Sequence, residues 1–466
     1  PGARTCEPNG QFGPCEGQVL PALDDCQTAA DEDCDGAPAP CPSEFAQLFD
    51  FDGQAELLFA AADPSGNIYV SGTFSESVGV GADTLGAVGF TDIFVAKLDP
   101  TGEPLWARSF GFDQGYFTLG GMTVLPGGQV LLSGIFSGTI DLDSFQLVAT
   151  DPTAGFVLSL SPTGEGLWGR ATTGNVNVPL GVAKGPGSLV ATGFVGSLLS
   201  FGGPETLDTG TLLQVFDGVT GSVQSERTVS ALGQGFLVGD DSGWTAGTRN
   251  PNMTVDLGGA PIMVGQGIVV AQYDTTLSHQ QSFGFIGGTE APLAAARSAN
   301  NLLFGGNLAG NINFGGITLD SMASSLQAFV ASITSSGTLG DGAVWKGNNP
   351  STTAISVRAI STTSDGVVVG THLLSALSLA GQDLAPIGPR DALIVRTDDD
   401  LAIQNLRTFG AANSTMNLQV VGACGDGLVL VAGSFAKSGA GDGPDFGLGP
   451  TSVTNGDYGY VACVSL

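Results

Sequence analysis

The sequence predicts an all-β fold, a seven-bladed β-propeller, and three observations support this prediction. The first is a strand with a glycine near its centre, which recurs about every 60 residues and so exceeds the ~40–50 residues of a minimal four-stranded blade. These strands contain Gly72, Gly134, Gly193, Gly247, Gly306, Gly370 and Gly433. The first six copies continue with an apolar strand, a turn and a closing strand, as in residues 92–111. The extra length predicts a longer loop in each blade.

The second observation comes from the two ends of the chain. The seventh copy stops at residues 458–466 without a closing strand, and residues 44–53 resemble a closing strand placed before the first copy. We therefore expect residues 44–50 to pair with the end of the chain and complete the last blade. Such a ring leaves no sheet array with an open end. The predicted domains are a Cys/Asp-rich module over residues 1–43 and the propeller over residues 44–466.

The third observation is composition. Glycine accounts for 73 of 466 residues and charged residues for 12%, about twice and about half of their usual shares. A chain that is poor in charge, periodically apolar and rich in glycine is typical of strands joined by tight turns. The turns themselves are visible, for example at residues 63–67, where a glycine stands at a position that favours positive φ.

The charge balance restricts the partners of the chain. Its 14 Lys and Arg against 44 Asp and Glu give a formal net charge of −30. Such a field repels phosphate backbones and anionic membrane surfaces, so nucleic acid is not an expected partner. No apolar run approaches the ~20 residues that span a bilayer. The chain begins at Pro1, and we expect it to be a processed or truncated form.

Cysteines are concentrated at the amino terminus. Five of the seven fall within residues 6–41, beside tight turns in an acidic chain, which favours disulfides in an oxidising compartment. Zinc is the alternative, but there is no CxxC pair, and neither His279 nor His372 lies near the cluster in sequence. Residues 1–43 therefore read as a small disulfide-held module.

Three disulfides are predicted. Cys6–Cys15 and Cys26–Cys34 would each close a short loop. Alignment of the chain ends with the first repeat places Cys41 and Cys463 on either side of a hairpin turn, within disulfide reach. We therefore expect Cys41–Cys463 to act as a latch across the ring closure and to leave Cys424 as a free thiol. The alternative is a Cys424–Cys463 pair inside the last blade.

Two stretches resemble known families. Residues 4–36 resemble the MopE-type metal-binding motif of secreted bacterial proteins, through Cys6, residues 12–15, Cys26 and residues 31–36, although Asp25 replaces the Glu that commonly precedes Cys26. Residues 66–111 resemble the β-propeller repeats of myxobacterial surface proteins. Both resemblances imply a secreted or surface protein, and neither implies a reaction.

The acidic run at residues 31–36 has the chemistry of a calcium loop. Alternating carboxylates followed by a glycine supply the first half of a Ca²⁺ coordination shell. The expected ligands are Asp24, Asp25, Asp31, Asp33 and Asp35, and Glu44 is a further possible ligand. The alternative is a solvated acidic turn. Copper or zinc would require softer ligands.

Catalytic motifs are scarce. His279 and His372 fall in different repeats, and neither a G-x-S-x-G nor an H-E-x-x-H motif occurs. The run Asp398, Asp399 and Asp400 is typical of a solvated turn. We therefore expect no enzymatic activity.

Aromatic residues and strand edges leave two alternatives open. Trp106, Trp168 and Trp345 fall on fourth strands, where packing between blades is favoured over a sugar-stacking ring. The same outer strands carry few Lys or Arg to guard their edges, which permits self-assembly, with an ordinary monomer as the alternative.

Together these features predict a non-catalytic secreted or cell-surface β-propeller with a structural or binding role and a calcium-stabilised amino-terminal module. Expected partners are other copies of the chain, surface proteins or polysaccharide. The alternatives are a polysaccharide-binding lectin or a carbohydrate-active enzyme that uses the propeller channel, because the fold hosts all of these classes.

Overall fold

The computed structural model describes residues 3–6, 12–16 and 43–466. Within the last range it leaves out residues 112–115, 143, 202–208, 231, 234, 252–253, 264, 299–300, 315–316, 322–324 and 350–352. The described residues form strands and turns, so the all-β prediction is confirmed. None of them forms a helix long and apolar enough to cross a bilayer.

The amino-terminal region contributes two short antiparallel strands, β1 (Ala3–Cys6) and β2 (Phe12–Glu16). Their register places Arg4 opposite Cys15 and Cys6 opposite Phe12. The next strand is β3 (Phe45–Asp52), which belongs to the last sheet of the chain.

The first four-stranded sheet shows the plan that the others repeat. Its strands follow one another across the sheet and are β4 (Ala55–Ala62), β5 (Ile68–Phe74), β8 (Asp92–Leu98) and β9 (Pro104–Phe110). A hairpin of β6 (Ser77–Val80) and β7 (Asp83–Gly86) is inserted between the second and third strands.

The second and third sheets have the same strand order. The second consists of β10 (Tyr116–Val124), β11 (Val130–Ser137), β14 (Ala154–Leu160) and β15 (Gly166–Ala171), with an inserted hairpin of β12 (Thr139–Asp141) and β13 (Gln146–Val148). The third consists of β16 (Thr173–Lys184), β17 (Leu189–Ser200), β18 (Gly210–Asp217) and β19 (Val223–Ser230).

The middle of the chain forms one larger sheet. Its main strands are β20 (Gly235–Asp240), β21 (Gly243–Pro251), β24 (Gln266–Tyr273), β25 (His279–Arg297), β26 (Asn301–Asn313), β28 (Gln327–Thr334) and β29 (Leu339–Trp345). Its inserted segments are β22 (Thr254–Val255), β23 (Ile262–Met263) and β27 (Thr318–Asp320). The first part of β25 pairs with β24 and its second part with β26, so this 19-residue strand serves two neighbours in turn.

Two further sheets complete the described chain. One consists of β30 (Ile355–Thr363), β31 (Gly366–Leu373), β34 (Asp391–Thr397) and β35 (Ile403–Phe409), with the hairpin β32 (Leu377–Leu379) and β33 (Gln382–Leu384). The other contains β36 (Ser414–Gly425), β37 (Leu428–Lys437) and β38 (Gly456–Ser465).

The last sheet is completed by the amino-terminal strand. β3 pairs antiparallel with β38, with Phe45 opposite Cys463 and Phe51 opposite Asp457. The predicted pairing of residues 44–50 with the chain end is therefore confirmed. The other edge of β3 pairs with β6, where Phe49 lies opposite Val80. The inserted hairpin of the first sheet thus adds to the last sheet, which the sequence did not predict.

The sheets are arranged in a ring. The first strand of each four-strand set contacts the first strand of the next, in the order β4, β10, β16, β20, β25, β30, β36 and again β4. Successive antiparallel sheets in cyclic contact, with a strand from one chain end in the last sheet, define a β-propeller. The inserted hairpins and the connections between sheets lie at one end of the strands, which we name the loop face.

Packing between neighbouring sheets uses aromatic rings against turn glycines. The Trp106 indole donates a hydrogen bond to the Pro162 carbonyl at 2.8 Å and lies 3.0 Å from where a Cβ on Gly164 would stand. Trp168 donates to the Gly218 carbonyl of the next sheet at 2.9 Å. The packing interpretation of these two tryptophans is therefore confirmed.

Trp345 lies on a fourth strand, β29, as predicted, but at a different level of the sheet from Trp106. Trp345 lies opposite Ala328 on β28, whereas Trp106 lies opposite Lys97 on β8. The strand register places Trp345 at the position that Phe110 takes in the first sheet, opposite Ile93. Its ring is buried in an apolar cluster, so it is a core residue at a different level of the sheet.

Candidate functional site

The predicted metal ligands fall outside the described residues. These are Asp24, Asp25, Asp31, Asp33 and Asp35, and the same holds for Cys26, Cys34 and Cys41 and for the side chains of Cys6 and Cys15. The calcium site and the two amino-terminal disulfides stay predictions. In the part of the chain that the structure describes, no group of three or more His, Cys, Asp or Glu side chains could hold a metal ion.

The predicted Cys41–Cys463 latch is wrong, because Cys463 is bonded to Cys424 inside the last sheet. The pairing of β36 with β37 is irregular between Ala423 and Gly425. At this irregularity Cys424 comes within 6.1 Å of Cys463, Cα to Cα, which is disulfide reach. A cysteine sulfur forms one disulfide, so Cys41 cannot share this partner. Both bonded cysteines are buried.

Both histidines have local structural partners. His372 on β31 is 4% exposed, and its Nε2 accepts a hydrogen bond from the Leu418 N–H at 3.0 Å. Burial, with the positive charges of Arg358 and Arg390, lowers the pKa of His372 to about 3. His279 shares a 2.6 Å hydrogen bond with the Ser282 hydroxyl. His372 thus binds the neighbouring sheet, whereas His279 binds a residue of its own strand; burial also lowers the pKa of His279.

The Asp398 carboxylate forms a turn, as its sequence context predicts. Its Oδ1 accepts hydrogen bonds from the N–H groups of Asp400 and Ala402 at 3.1 and 2.9 Å. The side-chain amide of Gln404 adds a third bond. This carboxylate is therefore occupied in holding the hairpin between β34 and β35.

The candidate site is a cavity of about 490 Å³ at the loop face, between the first and the last sheets. It opens where β4 and β36 begin and where β5 and β37 end. Its polar lining includes Gln54, Glu56, Arg390, Thr415, Asn417 and Asp457. Glu56 and Asp457 are exposed, whereas Arg390, Thr415 and Asn417 are half-buried.

Two buried carboxylates hold the loops that border this cavity. Asp92 accepts the N–H groups of Val88 and Gly89 at 2.7 and 3.0 Å, which fixes the loop that carries Phe90 and Thr91. Asp391 has the same role at the start of β34. It accepts hydrogen bonds from the N–H groups of Ile387 and Gly388 at 2.6 and 3.1 Å, which fixes the loop that carries Arg390. Burial raises the pKa of Asp391.

Arg390 is oriented by the neighbouring sheet. Its Nε donates to the Met416 carbonyl at 2.6 Å, and the Met416 N–H donates to the Arg390 carbonyl at 2.9 Å. These two bonds hold the guanidinium against β36. Its two terminal nitrogens have no hydrogen-bond partner among the described residues, so they can donate into the cavity.

A second guanidinium lies close by. The pKa of Arg358 on β30 is lowered by burial and by the positive charge of Arg390, while the negative charge of Glu56 opposes this shift. Its buried Nε has no hydrogen-bond partner within the described structure. Arg358 and Arg390 offset part of the negative charge of Glu56, Asp457, Asp92 and Asp391 around the cavity.

The lining retains unused hydrogen-bonding capacity. The side chains of Glu56, Asn417 and Asp457 make no hydrogen bond to any residue that the structure describes, and neither do those of Gln54 and Thr415. Both hydrogen-bond donors and hydrogen-bond acceptors therefore line the cavity. Phe90, which precedes the lining residue Thr91 in the chain, exposes 73% of its surface.

Sequence reasoning missed this cavity. Glu56, Arg390 and Asn417 come from the first and the last two repeats and share no motif. One usable signal was the Asp that opens the third strand in two repeats, Asp92 and Asp391, since each follows a loop that lines the cavity. A second signal was the rarity of arginine in this acidic chain, since a rare positive charge such as Arg390 marks a candidate site.

Comparisons with known proteins identify no family. No family model matches the chain, and no curated protein matches it. Among solved structures, the Dos1 propeller is similar with a TM-score of 0.45 and 10% identity over 90% of this chain and 95% of that one. BamB from Moraxella catarrhalis gives 0.36 and 12% over 90% and 99%. A europium-containing methanol dehydrogenase gives 0.37 and 11% over 91% and 93%. Similarities this low assign no function, and the fold assignment rests on the strand order described above.

Proposed function

We propose that the chain is a non-catalytic, secreted or cell-surface β-propeller of seven blades that serves as a binding or structural component. The cyclic contacts of the first strands support this blade count, with β25 supplying the last strand of one blade and the first strand of the next. The buried Cys424–Cys463 disulfide supports an oxidising compartment. Residues 44–50 complete the last blade.

The observation that carries the binding role is the cavity at the ring closure. It combines half-buried Arg390 and Asn417 with open hydrogen-bonding groups from three sheets. Histidine is the side chain best suited to acid–base work near neutral pH, and neither His279 nor His372 lines the cavity. The arrangement favours holding a polar ligand over transforming it.

If the chain has a structural role, we propose that copies of it assemble through their outer strands. Leu105 and Leu167 occupy matching places on the outer strands β9 and β15 and are 54% and 48% exposed. Exposed apolar side chains along an outer strand suit pairing with another copy or a surface protein. Electron micrographs of the purified chain would show tubes or fibres in that case.

The amino-terminal module is proposed to bind Ca²⁺ through Asp31, Asp33 and Asp35, with Asp24 and Asp25 completing the shell. Calcium would neutralise carboxylates that otherwise repel one another. Limited proteolysis before Ser43, with and without a chelator, tests this. Faster cleavage after chelation is expected, and unchanged resistance would contradict it.

The binding role is tested by incubating the protein with insoluble cellulose, chitin and xylan. We expect sedimentation with at least one polysaccharide and no release of reducing sugar. Release of sugar would show the carbohydrate-active enzyme that is the alternative. Absence of sedimentation with all three, combined with separate single particles in electron micrographs, would contradict both the binding and the structural role.

A further inference from the structure

We infer that the cavity between the first and last sheets is a saccharide site that takes a neutral sugar unit and uses Phe90 as a platform for the sugar ring. The inference rests on the proposed binding function and names the ligand class of that cavity. Three features of the described residues support it: the charges around the cavity, open hydrogen-bonding groups and an exposed aromatic ring.

The charges around the cavity disfavour an anionic ligand. Arg358 and Arg390 offset only part of the negative charge of Glu56, Asp457, Asp92 and Asp391, so an anion would meet carboxylates that remain uncompensated. At longer range the net charge of −30 repels anionic polymers such as uronic-acid polysaccharides. A neutral glycan incurs neither penalty.

The lining matches the hydrogen-bonding pattern of hydroxyl groups. Each sugar hydroxyl both donates and accepts, and the cavity offers carboxylate acceptors at Glu56 and Asp457, guanidinium donors at Arg390, and groups of both kinds at Asn417 and Thr415. The terminal nitrogens of Arg390 and the side chains of Glu56, Asp457, Asn417 and Thr415 have no hydrogen-bond partner in the described protein. A ligand that satisfies them as it displaces water gains specificity, because leaving any of them unpaired and desolvated is costly.

Phe90 supplies the apolar part of the site. Many phenylalanines of this chain are core residues, including Phe49, Phe74 and Phe94, which are fully buried, whereas Phe90 is 73% exposed. The bonds from Asp92 to the Val88 and Gly89 N–H groups hold its loop next to the cavity. An exposed ring on the loop that lines the cavity through Thr91 suits the apolar face of a sugar ring, and a volume of about 490 Å³ lies within the range of small-molecule sites.

The test uses the whole chain and four neutral probes: cellohexaose, xylohexaose, mannohexaose and the hexamer of N-acetylglucosamine. Isothermal titration calorimetry compares the parent with Asn417→Ala, Glu56→Gln and Phe90→Ala. We expect one probe to bind and each substitution to weaken it by about tenfold, the effect of one lost hydrogen bond to a charged or desolvated group or of one lost ring contact.

Met263→Ala is the matched control, because Met263 is 82% exposed on the inserted hairpin of another sheet. It should leave affinity unchanged, and melting curves verify that all variants are folded. Equal affinity of the parent and the three cavity variants would overturn the saccharide site while leaving the binding function intact.

Two other results separate the hypotheses. If free arginine or glutamate binds and Asn417→Ala abolishes that binding, the cavity is a site but the sugar assignment is wrong. If no hexasaccharide binds while the protein still sediments with an insoluble polysaccharide, the glycan site lies elsewhere. Failure of both assays would overturn this inference together with the proposed glycan binding.

Discussion

The ring closure and the junction between the first two sheets solve the same packing problem in different ways. Between the first and second sheets, Trp106 lies on the turn glycine Gly164 and donates to the Pro162 carbonyl. At the closure, Phe45 lies on Gly102 in the same manner, but a phenyl ring has no N–H to donate. The closure instead has the β3–β6 pairing and the bonds from Ser465 to Glu44. These bonds hold the pKa of Glu44 below its ordinary value.

This difference follows from chain connectivity. The first and last sheets are also joined by a short link, residues 53–54, but the last sheet itself pairs strands from opposite ends of the chain, β3 and β38. Bringing those ends together costs loop entropy, which the additional backbone hydrogen bonds of β3 offset. The closure is therefore the place where the loss of one strand affects the whole ring.

Deleting residues 44–50 should have the largest effect. The deletion removes the outer strand of the last sheet together with the fully buried Phe49, whose truncation alone would cost about 3–5 kcal/mol. It also leaves β6 without its partner. We expect loss of a single cooperative melting transition and rapid proteolysis of β38. The control is deletion of residues 1–42, which keeps β3. Matching melting curves for the parent and the 44–50 deletion would refute the role of β3.

Gly102→Ala should have the next largest effect. Gly102 has φ of 90°, and an added Cβ would lie 2.3 Å from the Phe45 ring. Strain and overpacking together should cost about 3 kcal/mol in equilibrium urea unfolding. Gly381→Ala is the control, because its φ is 76° but nothing lies within 4 Å of its Cβ position, so about 1 kcal/mol is expected. Equal losses in the two variants would show that the Phe45 ring moves freely and does not brace the closure.

The junction before the last sheet predicts a pH effect. His372 binds the Leu418 N–H, and its folded pKa of about 3 is below the unfolded value of about 6.5. The unfolded chain therefore takes up more protons, so this group's stabilisation is full above pH 6.5 and falls as the pH drops towards 3, by about 2 kcal/mol at pH 5. His372→Gln should flatten this part of the stability profile. An unchanged slope between pH 6.5 and 5 would argue that other groups determine it.

A second contrast concerns the turn residue that faces the preceding sheet. Gly102, Gly164 and Gly221 receive an aromatic ring there. Leu277 and Leu401 take this turn position in two later sheets at φ of 62° and 59°, and both are buried. In the sheet that precedes each of these leucines, the position that corresponds to Trp106 is occupied by Ser225 or by Asp341, so no ring is present there. Where the outer strand carries an aromatic ring, the facing turn residue is glycine. Where the outer strand carries Ser225 or Asp341, the facing turn residue is a leucine.

Sequence reasoning succeeded where the repeats were in phase. The pairing of residues 44–50 with the chain end followed from the displaced closing strand. The repeat length predicted longer loops, and several of these loops contain hairpins that the sequence did not predict. It failed where the register shifts, since the irregularity between Ala423 and Gly425 brings Cys424 to Cys463 and cannot be read from an alignment of repeats. The cavity was also invisible, because Glu56, Arg390 and Asn417 meet only after the ring closes.

The smallest predicted effect isolates the hydrogen bond that distinguishes the two junctions. Trp106→Phe keeps a ring on Gly164 but removes the N–H that donates to the Pro162 carbonyl, so the first junction becomes chemically similar to the closure. We expect a loss of about 1 kcal/mol in urea unfolding, the usual net value of one such bond. Leu105→Ala on the same strand is the control, because Leu105 is 54% exposed and should change stability little. A loss from Trp106→Phe no larger than the control would show that ring packing alone holds this junction. The β3–β6 pairing would then serve only to offset the loop entropy lost when the two chain ends meet.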